Sequence, residues 1–187
     1  MSTPGWNGDP AEALKELSAL RRFSGPPKEF WPRYLACMGH LCAAQRVALL
    51  VRNPATPGAW KKLIDWTSEK GPSRHGAFFA SQLEVFAERC STDPQWLSPL
   101  EPSPGRGNAS YVLATEIKAL RAEDRSVAVC LLPETTDAAA REMLLRLHLA
   151  ADTPESYQEN LVAGQAKADV EKLAGALDLT AVVNAEK

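Results

Sequence analysis

Tyr111 to Ala151 holds two strand-like apolar runs, about Ser110 to Ile117 and Arg125 to Leu132, joined by a short polar turn and followed at once by an amphipathic helix. The helix opens at Thr136 and Asp137 and presents Ala140, Met143, Leu144 and Leu147 on one face. This order sets the closing half of a mixed α and β fold. It carries no catalytic motif, so it constrains architecture more than chemistry.

The rest of the chain supplies the other elements. At 187 residues it is long enough for one domain of ordinary size with helical extensions. Asp9-Pro10-Ala11-Glu12 reads as a capped helix start, with leucines at 14, 17 and 20 as its stripe and Ser24-Gly25-Pro26-Pro27 as its stop. Residues 1–26 are therefore expected to form a leader appended to the main domain.

From Pro27 to about Ala44, Trp31, Tyr34, Leu35, Met38, Leu41 and Cys42 follow the helical period. The chain then enters RVALLVR, apolar on both faces and hence a central strand. After a Pro- and Gly-rich turn, WKKLIDWT alternates, Trp60, Lys62, Ile64 and Trp66 pointing one way and Lys61, Leu63, Asp65 and Thr67 the other. A helix over about Ala77 to Arg89 buries Phe79, Leu83, Phe86 and Cys90. A short edge strand near Trp96 and Leu97 leads into an irregular loop up to Asn108. The tail from Pro154 is Ala-, Leu-, Glu- and Lys-rich, with Val170, Leu173 and Leu177 spaced as a seam, and reads as a linker helix to something further.

Composition excludes several classes. The 21 basic and 23 acidic residues leave a net charge of −2 and are scattered, which does not favour a nucleic-acid partner. The longest apolar runs are strand-sized, and the first ten residues lack the pattern of a signal peptide. The expected location is cytoplasmic, not membrane-spanning. Cys37, Cys42, Cys90 and Cys130 sit in apolar settings without disulfide or zinc spacing, and read as reduced, buried thiols. Cys37 and Cys42 fall on different sides of one helix, and His40 between them does not complete a metal geometry; no metal site is expected.

FWPRYLACMGHLCAAQRVALLVR, GAWKKLIDW, FFASQLEVFAERC and YVLATEIKALRAEDRSVAVCLL, in that order, resemble the first helix and strand, second strand, cleft-side helix and closing hairpin of a GAF domain. The resemblance implies an α+β fold: a central antiparallel β-sheet with terminal helices packed on one face and a ligand cleft on the other. It covers about residues 27 to 160, giving a GAF-like domain at 27–155 and a signalling or linker helix at 156–187. Within that superfamily the chain looks most like the cytoplasmic GAF region of bacterial haemolysin-secretion-type efflux or secretion adaptors, where AKADVEKLAGALDLTAVVNAEK is similar to the linker between two GAF domains. The Asn-Lys-Phe-Asp-Glu signature of cyclic-nucleotide-binding GAF domains and the adjacent Cys-His pair of bilin-binding phytochromes are absent, disfavouring both ligands.

Candidate ligand-binding residues are Trp66, Arg74, His75, Phe79, Trp96 and Tyr111. Arg74 and His75 precede a helix whose free amides favour an anion, with Ser73 as a cap. The aromatic residues supply the surface a small-molecule cleft needs, and Trp96 and Tyr111 flank the irregular loop where a lid would sit. For each, the alternative is a solvated loop or an ordinary core. His148 has only Asp152 within a helical turn as a relay partner, and no Ser-His-Asp pattern, phosphate loop, HExxH or CxxC pair occurs, so no catalytic residue is named.

The expected function is a non-enzymatic sensory or regulatory module that binds an unidentified small molecule and relays through its terminal helices, as a homodimer, to a neighbouring domain; no cofactor is identified. Two alternatives are a structural dimerisation module with a filled cleft and a thiol reductase resembling the GAF-type free-methionine sulfoxide reductases.

Overall fold

The computed structural model describes residues 9–52, 59–69, 73–100, 108–118 and 125–185, with side chains described up to Lys172. Two helices come first, α1 (Pro10–Leu20) and α2 (Pro27–Leu41), then the strands β1 (Arg46–Arg52) and β2 (Trp60–Thr67). The helices α3 (Gly76–Ser81) and α4 (Leu83–Thr92) follow, then β3 (Gln95–Pro99), β4 (Asn108–Ile117) and β5 (Arg125–Thr136), and finally α5 (Asp137–Leu149) and α6 (Thr153–Ala185). The described strands form one five-stranded sheet in the order β2-β1-β5-β4-β3, with every neighbouring pair antiparallel. The fold is α+β, with a central antiparallel sheet as the resemblance implied.

The sheet is covered on both faces because its middle strands are apolar on both. Val47, Leu49, Leu113, Ala128 and Cys130 join the core beneath α1, α2, α5 and α6; Ala48, Leu50, Val112, Ala114, Val127 and Val129 join the core beneath α3 and α4. Ser126 to Leu132 of β5 are buried without interruption, which matches its place at the centre of the sheet.

α1 is not an appendage. Ala13, Leu17 and Leu20 are buried in the main core, while Leu14 is 45% exposed, so the buried stripe begins at Ala13 rather than at Leu14. The start of α6 is equally integral. Tyr157 stacks on Phe30 with ring centroids 3.8 Å apart and donates to Gly25 O at 2.9 Å, and Leu161 packs against the same core. Boundaries at 26 and 155 therefore cut through packed contacts. Leu173 and Leu177 of the expected seam lie outside the described side chains; Val170 is 65% exposed.

Two local departures from the expected pattern matter for the site. The helix expected over 77–89 is two helices broken at Gln82 (φ −112°, ψ 8°), yet Phe79, Leu83, Phe86 and Cys90 are all buried on its inner side. In β2 a bulge intervenes: Leu49 pairs with Ile64 but Leu50 pairs with Lys62, leaving Leu63 as the extra residue. Strict alternation put Trp60 and Lys62 with Ile64 and Trp66. The bulge instead leaves Ile64 and Trp66 under the terminal helices and returns Trp60 and Lys62 to the other face with Asp65.

The link from α2 to β1 is tight. Ala44 N donates to Gly39 O at 2.8 Å and Ala43 N to His40 O at 3.2 Å, the paired bonds of a Schellman cap, with Ala43 at φ 47°. That left-handed conformation normally favours glycine. Ala43→Gly is expected to stabilise the protein by about 1 kcal/mol, read as a raised urea midpoint with an unchanged slope.

Gly39 faces Trp66 so closely that a Cβ there would lie inside the indole. Its absence forms a notch in α2 that receives the ring. Gly39→Ala should cost about 1 kcal/mol or more through overpacking. In a Trp66→Ala background the same change should instead be favourable by up to about 1 kcal/mol, the helix preference of alanine over glycine. A double-mutant cycle in urea reads this reversal of sign.

Candidate functional site

A cleft of about 490 Å³ opens between the β1–β2 end of the sheet and α3 with the start of α4. Its position follows from the cover on that face. Short α3 and α4 pack over the central strands, while β2 lies at the sheet edge. Ala48, Leu50, Trp60, Phe79 and Leu83 form the apolar wall, and Arg46, Lys62, Asp65, Ser81 and Glu84 supply polar groups. Such a volume, with apolar and polar surface in near-equal measure, is within the size range of small-molecule sites.

The polar groups are ordered by one carboxylate. Asp65 Oδ2 accepts from Arg46 Nη2 at 3.4 Å and Oδ1 from Lys62 Nζ at 3.1 Å, while Arg46 Nη1 donates to Gly76 O at 2.9 Å. Arg46 thereby ties β1 to the start of α3. At the other end, Trp60 Nε1 donates to Glu88 Oε2 at 2.9 Å, Arg52 pairs with the same oxygen at 3.2 Å, and the Arg52 guanidinium lies 5.9 Å from the Trp60 ring centroid. This fixes Trp60 against α4.

Of the six candidates named from sequence, only Phe79 lines the cleft. Arg74 and His75 lie on the turn before α3, where His75 N donates to Ser73 Oγ at 3.3 Å; that bond closes the turn, and the N-cap position is His75, without a side-chain cap, so Ser73 does not cap α3 as expected. Trp96 is half-buried and stacks on Phe86 at 5.6 Å, on the cleft side of the sheet but away from the opening. Trp66 and Tyr111 are on the opposite face, in the core beneath the terminal helices; Trp66 meets His40 edge-on at 5.4 Å. Those two correct the sequence reading: aromatic character and proximity to a loop do not say which face of a strand a side chain takes. Arg46, Lys62, Asp65 and Glu84 were missed. Lys62 and Asp65 lie three apart, which puts them on opposite faces of a regular strand, and only the bulge brings them together.

The remaining chemistry-bearing groups lie outside the cleft lining. Burial pushes the thiols of Cys37, Cys42 and Cys90 up from 9.0 to about 12, and that of Cys130 well above its usual range. Tyr34, raised first by burial, donates to Ala150 O at 2.9 Å. His148 Nδ1 lies 3.4 Å from Thr115 Oγ1, and Asp152 is paired with Arg21 at 2.7 Å rather than with His148. Among the described residues, no group of three or more His, Cys, Asp or Glu side chains is placed to hold a metal, and no helix is long and apolar enough to cross a membrane.

No family model and no curated protein matches this chain. Solved structures do. The acyl-homoserine-lactone-dependent LuxR-family transcription factor CepR2 of Burkholderia cenocepacia is similar over 82% of this chain and 98% of its own, at 11% identity and a TM-score of 0.54, which shows a shared fold. The GAF domain of a phosphoenolpyruvate-protein phosphotransferase from Coxiella burnetii matches over 82% and 98% at 11% identity and TM-score 0.47. The GAF domain of a sensor histidine kinase from Pseudomonas syringae pv. tomato matches over 85% and 93% at 17% identity and TM-score 0.46.

The thiols make a direct pH prediction. A thiol whose folded pKa is raised favours the folded state while it stays protonated; that contribution is complete below about pH 9 and is lost as the pH rises toward 12. Stability should therefore be level through neutral pH and fall above 9, by about 1.4 kcal/mol per pH unit for each such thiol. Cys90→Ala should show a shallower alkaline slope in urea titrations, and native thiols should react with a disulfide reagent orders of magnitude more slowly than denatured ones.

Proposed function

We propose that this chain is a non-enzymatic sensory module whose small ligand enters the β1–β2/α3–α4 cleft and whose response leaves through the terminal helices. The single observation that carries the proposal is the cleft itself, with its apolar wall and its cluster of Arg46, Lys62 and Asp65. The fold shared with CepR2, a transcription factor dependent on an acylhomoserine lactone, supports a small-molecule ligand.

The relay runs through β2. Asp65 faces the cleft and belongs to its charged cluster, while the next residue, Trp66, sits in the Gly39 notch of α2. A ligand that redirects Arg46 or Lys62 away from Asp65 moves a strand whose other face is keyed to a terminal helix. Cleft occupancy then shifts the population of α2 and α6 arrangements. In this proposal those helices pair in a cytoplasmic homodimer that passes the change to a neighbouring domain, with an efflux or secretion adaptor as the context.

The dimerisation reading without a ligand draws on the exposed apolar side chains of the helix layer, Leu14, Leu145, Leu149 and Val162. The two readings part at the cleft. Ala80 lines it and is exposed, so Ala80→Trp should block the opening and leave the core intact. In a thermal-shift screen of metabolites, at least one compound should raise the melting temperature of the native protein, by an amount set by its occupancy, and fail to do so in Ala80→Trp. No such compound, with a native dimer that persists, would favour the purely structural reading.

A further inference from the structure

Resting on the cleft reading, we infer that the ligand is a small zwitterion with an apolar body, bound with its anionic group toward Arg46 and Lys62 and its cationic group toward Glu84. The observation is a mismatch of charge across the cleft. On the strand floor two cations, Arg46 and Lys62, share the single carboxylate of Asp65, which leaves one positive charge without a counter-charge. On the helical wall Glu84 lines the same cleft and makes no ion pair with any described residue. The apolar surface of Leu50, Phe79 and Leu83 belongs to the same lining.

Each simpler ligand class leaves one of these charges unanswered. A monocarboxylate meets the excess charge at Arg46 and Lys62 but brings a third anion to a cleft that already holds Asp65 and Glu84. An amine meets Glu84 and adds a third cation to the floor. A neutral apolar molecule fills the wall but offers no new partner to Glu84 or to the cluster of Arg46, Asp65 and Lys62 as it covers them, which costs free energy. A zwitterion matches both and leaves the net charge of the four groups at zero. Its apolar body must be short, since the cleft is about 490 Å³.

Three probes with a comparable aliphatic body separate these cases: hexanoate, hexylamine and 2-aminohexanoate, each titrated against the full chain by thermal shift and calorimetry at low ionic strength. The expected result is that 2-aminohexanoate binds more tightly than either singly charged probe by up to about fivefold, the upper factor for one partly exposed ion pair. Glu84→Gln should remove its advantage over hexanoate, Lys62→Gln its advantage over hexylamine, and Ala80→Trp should abolish its binding. Equal or tighter binding of hexanoate or hexylamine overturns the inference, as does a 2-aminohexanoate affinity that neither charge variant alters. If no probe binds but a broader metabolite screen finds a ligand that Ala80→Trp blocks, the zwitterion class is wrong and the cleft reading stands. If that screen finds none, the cleft reading falls too.

Discussion

The structure depends on a sheet whose middle strands are apolar on both faces. With Ser126 to Leu132 buried without a break, neither face of β5 can be left to water, because each uncovered aliphatic side chain forfeits about 1.5–3 kcal/mol. The terminal helices cover one face with an aromatic and aliphatic layer in which Tyr34 and Tyr157 both stack on Phe30. The other face is left to the short pair α3 and α4. That pair reaches over the central strands and packs less completely toward the edge, so the cleft is what remains where a small cover meets a broad sheet.

The β2 bulge determines what that cleft contains. One extra residue at Leu63 resets the facing of the strand, so Lys62 and Asp65 meet on the cleft side and Ile64 and Trp66 on the helix side. The same short segment thus carries charge toward the opening and a large ring into the helix layer. The Gly39 notch and the strained Ala43 cap hold α2 against β1 and β2 at the point where that ring arrives. The close fit of interiors makes such a contact responsive, since a packed ring cannot shift without moving its neighbour.

Much of this was legible from residue order. Helical spacing located α2, α4 and α5, strand alternation and apolar runs located β1, β4 and β5, and the four cysteines read correctly as buried thiols. The site was mostly not legible. Phe79, Trp66 and Tyr111 were all named for their aromatic character, which carries no information about facing, and of the three only Phe79 lines the cleft. Arg46, Lys62 and Glu84 gave no signal in residue order, because nothing local separates a charge that lines a cleft from one that is simply solvated.

The sequence by itself determined the elements and the need for two covering layers, because hydrophobic periodicity is local and each strand or helix expresses it without reference to the others. Only the tertiary structure decided which groups converge. The β2 bulge is set by pairing with β1, the depth of the cleft by how far α3 and α4 extend over the sheet, and the place of Tyr157 by its stack on Phe30. Each is a contact between residues distant along the chain, and its energy depends on register and packing that no single segment encodes.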